Sequence, residues 1–464
     1  MLRTHSCGQL NENNLEEKVT LVGWVSSRRD HGKIIFVDLR DRYGITQLIF
    51  LPKPEEVNKK AKEIRSEDVI KVKGVVNKRP TKTENPNIST GLVEVCVEDM
   101  EFLSHCQDLP FELDQDKEIS QELKLYHRYL YLRKPEMTKK FVLRHKLNQG
   151  LREFLNKKEF LEIETPMLTK STPEGARDFL VPSRLQPKKF YALPQSPQLF
   201  KQILMVSGLD KYYQIARCFR DEDLRKDRQP EFTQLDIEAS FLEEDDILKL
   251  TEMMLADLFL NVLGIKLKVP FLKISYQEAM EKYKSDKPDI KEKATSPDYR
   301  FLWVTDFPLF EYNQQDKCWQ SMHHPFTAPN TEDIDKLDDK DLAQVRSRSY
   351  DLVLNGQEIG SGSVRIHSAE TQKKVFQILG ISEKEADEKF GFLLRSFKFG
   401  VPPHAGIAFG LDRLYAIITK SDSIRDIIAF PKTQRGVSPL TGAPSSVLEN
   451  QLNELGIKTI ERKD

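Results

Sequence analysis

Four sets of charged residues in this sequence have types and spacings suited to binding charge, three to gather anions and one to hold a hard cation. In Phe219-Arg-Asp-Glu-Asp, Arg220 and Glu222 stand two apart, so an extended strand turns both to one face. A guanidinium fixed there can neutralise charge developing on a phosphate, while Glu222 and Phe232 can hold and stack a planar base. In Gly406-Ile-Ala-Phe-Gly-Leu-Asp-Arg-Leu a strand runs into a helix; Gly410 permits close backbone approach, and Arg413 at the helix start can grip a further phosphate. Asp351 and Glu358, on flanking strand segments, form a pair of hard oxygen ligands. Arg365 can take a carboxylate bidentately, with Lys201 as a second charge. Each set also has a bland reading: a salt-bridged loop, an interior Asp–Arg pair at a turn, a solvated acidic pair, ordinary ion pairs. No Walker loop, GxGxxG or HIGH-type signature is present, so a Rossmann-like nucleotide site is not expected.

Two kinds of element must position these groups. The first hundred residues alternate apolar and polar in five runs, with a helical composition at Pro54–Arg65 between the third and fourth, Pro54 being placed for its first turn. Five strands with a helix in that position is the order of an OB-fold barrel, against another small β barrel as the alternative. Residues 108–134 read as a hinge or linker that turns helical near its end. Beyond it, Thr138–Lys158 has helical apolar spacing, and strand-like runs fall at 188–193, 212–219, 234–240, 301–305, 350–365 and 404–409. Interleaved strands and helices of this kind predict an α+β domain on an antiparallel sheet.

The 464 residues suggest two or three domains, and 39% hydrophobic with 31% charged residues describes a soluble globular chain. A net charge of −1 excludes a globally basic nucleic-acid binder, so any RNA surface must be a local patch. Five scattered cysteines show neither CxxC pairs nor zinc spacing, which predicts a reducing compartment without disulfides or structural metal. No apolar run approaches a membrane span and the first ten residues lack a signal-peptide core, so the expected location is the cytoplasm.

The Arg220 and Arg413 segments, taken with Phe160-Leu-Glu-Ile-Glu-Thr-Pro-Met-Leu before them, resemble the three signatures of class II aminoacyl-tRNA synthetases, in the same order. Ser171-Thr-Pro-Glu-Gly-Ala-Arg-Asp-Phe, Leu193-Pro-Gln-Ser-Pro-Gln-Leu-Phe-Lys, His323-His-Pro-Phe-Thr and Gly356-Gln-Glu-Ile-Gly-Ser-Gly-Ser-Val-Arg-Ile resemble the bacterial aspartyl branch, so that the likeness covers nearly the whole chain. The resemblance implies a barrel at 1–107 that reads the anticodon, a hinge at 108–134 and a catalytic domain at 135–464. It implies ATP and Mg²⁺, with Arg220, Glu358 and Arg413 catalytic, and Asp221, Glu222, Gln229, Phe232, Gly410, Leu411 and Asp412 at the nucleotide. Asp351 and Glu358 would hold the metal. Glu174, Ser196, Gln198 and Asp236 would surround the ammonium of L-aspartate, Lys201 and Arg365 its side-chain carboxylate, and His323 would lie over it. The Ser171–Asp178 loop would close above, and Phe160–Leu168 would form a homodimer interface.

In the barrel, the resemblance assigns Arg29, His31, Phe36, Gln47, Arg79, Lys82 and Glu94 to the anticodon, Phe36 by stacking although a lone strand Phe is more often core. It leaves the tRNA choice open: His31 resembles enzymes that charge both tRNA-Asp and tRNA-Asn, Lys82 those that charge tRNA-Asp alone. One departure stands out. Bacterial aspartyl enzymes carry an extra domain inside the catalytic fold, whereas here Ser285-Asp-Lys-Pro-Asp-Ile leads within a few residues to Tyr299, so that domain is absent near 291–300. An asparaginyl-type paralogue, an adenylate-forming amide synthetase and a non-catalytic RNA-binding module are the competing readings. The HHPFT run opposes the first and the N-terminal barrel the second. The retention of Arg220, Glu358 and Arg413 opposes the third.

Overall fold

Strict alternation of buried residues in the first strands closes a barrel. In the computed structural model, which describes residues 1–113, 119–172, 175–291, 299–338 and 342–460, Val19, Leu21 and Val25 of β1 (Lys18–His31) face inward with Ile35, Val37 and Leu39 of β2 (Ile34–Asp41). β3 (Gly44–Phe50), β4 (Val69–Lys78) and β5 (Val93–Ser104) complete a closed barrel of order β1-β2-β3-β5-β4, with β4 pairing back onto β1. A helix, Glu55–Glu63, lies between β3 and β4, as the OB-fold order requires. Its first-turn Glu55 and Glu56 and last-turn Lys60 and Lys62 complement the helix dipole. Pro54 is the extended residue before that helix, one position earlier than its first turn. Residues 133–138 belong to the same compact unit as the barrel. Glu67, buried, receives Arg40 at 2.7 Å and Arg133 at 2.9 Å, which fastens that segment to it.

The second unit comprises residues 120–132 and 139–464. Its frame is an eight-stranded sheet made from β6 (Leu161–Glu162), β9 (Lys211–Phe219), β10 (Glu231–Ser240), β11 (Leu272–Ser275), β12 (Phe301–Thr305), β15 (Ser349–Leu354), β16 (Gln357–Val364) and β17 (His404–Gly410). The intervening β7 (Leu180–Pro182) with β8 (Phe190–Ala192), and β13 (Phe310–Asn313) with β14 (Cys318–Ser321), form two small hairpins. The sheet order is β11-β12-β15-β16-β17-β10-β9-β6. Its centre is antiparallel, as expected from the sequence, but both edge pairings, β6 with β9 and β11 with β12, are parallel. One face is covered by Leu147, Leu151 and Leu155 of helix Pro135–Lys157 and by Ile247 and Leu255 of helix Glu244–Leu258, packed on Leu235, Ile237, Leu352 and Ile407. The opposite face is apolar over β12 and β15, where Leu302, Val304 and Val353 pack with Ala279 and Phe307, and carries polar groups over β10. Among the described residues no helix is long and apolar enough to cross a membrane.

Candidate active site

The pleat of β10 builds the floor of the site. Leu235 and Ile237 point into the core, so Gln234, Asp236 and Glu238 must share the other face. Across the sheet each faces a small residue of β17: Gln234 pairs with Gly410, Asp236 with Ala408 and Glu238 with Gly406. Ala408 pairs in turn with Ser361 of β16, and Ser361 with Asp351 of β15, so one row runs from Asp236 to Asp351 over two short side chains. Short residues between carboxylates leave a cavity of about 850 Å³.

A β-bulge completes the row. Leu352 pairs with Gly360 but Val353 with Glu358, leaving Ile359 extra in β16. That one-residue shift puts Glu358 on the face of Val353, hence of Asp351. The two proposed metal ligands therefore share a face because of the bulge. Among the described residues no three His, Cys, Asp or Glu side chains converge as a ready-made metal site. Asp351 accepts from His323 Nε2 at 3.2 Å, and Glu358 holds Lys287 Nζ at 2.8 Å. Burial works against charge on His323, yet Asp351 raises its pKa above the ordinary value.

At the other end lies a buried group of four charges. Lys201, from helix Gln198–Val206, sits 3.1 Å from Asp236 Oδ1 and 3.4 Å from Glu238 Oε2. Arg365 grips Glu238 with Nε at 2.9 Å and Nη2 at 3.1 Å, while its Nη1 reaches Ser363 Oγ at 2.6 Å and His324 Nε2 at 2.7 Å. The bidentate edge of Arg365 is thus already occupied by Glu238 and both Nη1 hydrogens are taken, so an incoming carboxylate meets one remaining Nη2 hydrogen. Burial opposes charge on Glu238, but Arg365 and Lys201 hold its pKa down at about 2. Burial, joined by Arg365, pushes His324 well below the ordinary imidazole value and keeps it neutral. Asp236 Oδ2 is buried with no hydrogen-bond partner in this structure, an acceptor left open.

The remaining expected residues divide. Arg220 lies over Phe232 with its guanidinium carbon 5.1 Å from the ring centroid, and Glu222 pairs with Arg228 at 2.7 Å on the same cavity wall. Arg413 donates to the Glu358 carbonyl and faces Asp227 at 3.7 Å. Ser196 and Gln198 line the cavity; Ser196 Oγ caps the Gln198 N–H, and the Gln198 amide donates to Gln202. Four residues assigned to the nucleotide have other partners in the fold, although Gln229 and Asp412 also line the cavity. Gln229 exchanges hydrogen bonds with the Lys432 backbone at 3.0 and 2.8 Å, which spends its amide. Asp412 joins Arg144 at 2.6 Å and the Thr233 N–H at 2.8 Å, so it is an interior Asp–Arg pair, though with a different arginine from the neighbouring Arg413. Leu411 is core, and Asp221 faces Arg177 outside the cavity lining. Glu174 lies outside the described residues, as do 292–298, where most of the expected deletion point falls. The C-terminal side of its loop is held by Gln195, whose amide exchanges bonds of 2.8 and 3.1 Å with the Ala176 backbone.

Sequence reading passed over Glu238, His324 and Lys287. The first had a signal, since it continues the two-residue spacing of Gln234 and Asp236 on one strand face. His324 and Lys287 had none beyond their place in quoted runs.

The barrel carries a second cluster. Arg29 Nη2 reaches Asp38 at 3.1 Å and Gln47 Oε1 at 3.2 Å, and Gln47 Nε2 reaches Glu94 at 2.7 Å. Phe36 pairs with Arg29 in register, is half-buried rather than core, and meets His31 edge-on at 5.5 Å. Lys82 is exposed on the β4–β5 loop with its N–H on Glu84. Arg79 is buried; Nε and Nη1 brace the Val93 and Thr83 carbonyls, so most of the guanidinium is structural, while Nη2 is buried without a partner.

An OB barrel followed by this sheet and site defines a class, and comparison with known proteins agrees. The chain belongs to the class II tRNA synthetases: a family model described as "tRNA synthetases class II (D, K and N)" matches residues 120–434, and one for an OB-fold nucleic acid binding domain matches 19–103. Within that class it is 44% identical to the aspartate–tRNA(Asp/Asn) ligase of Persephonella marina, over 98% of this chain and 97% of that protein. It is 43% identical to the ligase of the same name from Syntrophomonas wolfei, over the whole of both chains. The Persephonella alignment extends over 588 positions against 464 residues here, so the relative carries more than a hundred residues that this chain lacks. Among solved structures, asparaginyl-tRNA synthetase from Pyrococcus horikoshii superposes with a TM-score of 0.76 at 24% identity, covering 93% of this chain and 99% of that one. Aspartyl-tRNA synthetase from Entamoeba histolytica gives 0.70 at 22%, covering 92% and 90%. At those identities the likeness is one of fold.

Proposed function

We propose that this protein activates L-aspartate with ATP and transfers it to tRNA-Asp and tRNA-Asn in the cytoplasm, working as a homodimer. The observation that carries the reading is the buried Lys201–Asp236–Arg365–Glu238 group beside the cavity, in which Asp236 Oδ2 has no partner. Asp236 accepts from the substrate ammonium, and Lys201 with the one free Nη2 hydrogen of Arg365 takes the side-chain carboxylate. Glu238 fixes both cations, so the pocket is arranged before substrate arrives.

The substrate α-carboxylate attacks the α-phosphate of ATP in line, forming the mixed anhydride and releasing pyrophosphate. Arg220 neutralises charge developing on the α-phosphate, Phe232 supplies a stacking face for adenine, and Arg413 faces the leaving pyrophosphate. Asp351 and Glu358, two hard carboxylates on one sheet face, fit Mg²⁺ bound jointly with phosphate oxygens and would hold it. When bound, Mg²⁺ supplies further neutralisation of phosphate charge. A ribose hydroxyl of the tRNA 3′ end then displaces AMP from the anhydride. Residues 135–464 are the catalytic domain in this scheme. The barrel reads the anticodon through Phe36 and the Arg29–Gln47–Glu94 chain, and the name of the curated relatives favours the relaxed tRNA choice. Charging of purified tRNA-Asp and tRNA-Asn with labelled aspartate tests this; asparagine as the amino acid attached, or neither tRNA charged, contradicts it.

A further inference from the structure

Lys287 belongs to a segment that the reaction scheme does not use, yet its ammonium ends inside the active-site cavity, 2.8 Å from Glu358 Oε2. The placement is built into the fold. Lys287 N–H bonds Ser285 Oγ at 3.0 Å, and Ile290 packs with the cluster that includes Val353. Asp289 rests against the hairpin turn at Gly356, where φ is +77° and a Cβ would come within 3.1 Å of the Asp289 side chain. The segment is therefore seated on the β15–β16 hairpin that carries both Asp351 and Glu358. Each carboxylate of that pair is matched by a side chain able to carry positive charge, Lys287 on Glu358 and His323 on Asp351.

We propose that Lys287 is a further residue of the metal–nucleotide site: it neutralises Glu358 before nucleotide arrives, is displaced from it by the entering divalent cation, and then pairs with the phosphates. A lysine ammonium and a divalent cation held against one carboxylate repel each other, so the two compete. The freed ammonium, on a flexible stem, remains in the cavity into which the phosphates must come. The site thereby avoids holding a bare divalent ion and closes around the metal with its nucleotide. This inference rests on the reading of Asp351 and Glu358 as the metal pair.

The test is Mn²⁺ binding by electron paramagnetic resonance, on the full chain, with and without a non-hydrolysable ATP analogue. Lys287 and Glu358 are 40% and 28% exposed, so their pair is partly screened. Loss of such a pair is expected to tighten binding of Mn²⁺ alone about fivefold in Lys287→Ala, about 1 kcal/mol. The sign then reverses: with the analogue present, Lys287→Ala binds the metal–nucleotide more weakly than wild type, and Lys287→Arg behaves as wild type in both states. Unchanged or weaker binding of Mn²⁺ alone by Lys287→Ala overturns the exchange. If Glu358→Gln binds Mn²⁺ with the analogue as well as wild type does, the metal pair itself is misassigned.

Discussion

Glu238 shows how one side chain can set the chemistry of a pocket without touching the reacting atoms. It faces two cations that would otherwise be buried together, and they in turn lower its pKa from the usual 4.5 to about 2. A carboxylate depressed in the folded state stabilises it fully above the unfolded value and loses that contribution as pH falls through the folded one. Its share of stability is therefore lost between about pH 4.5 and 2. In acid titrations followed by circular dichroism, Glu238→Gln should flatten the stability curve in that window. A wild-type acid limb in the variant would mean that Glu238 is not so held. The same substitution leaves Lys201 and Arg365 with one buried anion between them, which costs about 3–5 kcal/mol of stability at neutral pH. Arg220 poses the opposite case, a charge needed chiefly in the transition state. Arg220→Ala should keep the fold and reduce adenylate formation by about 10²–10³-fold or more; full activity would remove it from the mechanism.

At the scale of elements, the site is a property of strand register. Polar residues of β10 face glycine and alanine of β17, and a Cβ on Gly406 would collide with the Glu238 carboxylate and the Ile237 carbonyl. Overpacking of this kind costs about 1–3 kcal/mol, so Gly406→Ala should lower the melting temperature and raise the KM for aspartate together. An unchanged KM would show that the Glu238 side chain has room to move. Much of this was legible in the sequence. The strand runs at 301–305 and 404–409 fall on β12 and β17, which are buried on both faces and so read as short, nearly continuous runs of apolar and small residues. Asp236 and Glu238 declare a shared face by their spacing. The bulge at Ile359 was not legible, because it depends on how β15 meets β16 and not on the residues of either alone. The parallel edge pairings, the Lys287–Glu358 pair and the partner of Asp412 likewise join segments that only the tertiary fold brings together.

At the scale of the molecule, β6 and the chain after it expose Leu161, Met167 and Leu168 at a sheet edge, more apolar surface than an isolated edge tolerates well. In the proposed homodimer Leu161–Leu168 would cover it, Phe160 itself being packed in the core, and Leu168→Lys should shift sedimentation toward the monomer at micromolar concentration. A wild-type chain that is already monomeric would contradict the dimer. In the proposed scheme both chemical steps take place on the sheet and the barrel reads the anticodon, so the amino acid and the tRNA would be chosen by different surfaces. The choice of amino acid can be measured without tRNA. ATP–pyrophosphate exchange by the purified wild-type protein should depend on L-aspartate and fall by about 10³-fold or more with L-asparagine, since a neutral amide brings no charge to Lys201 and the remaining Arg365 hydrogen. Equal exchange with the two amino acids, or exchange with asparagine alone, would contradict it.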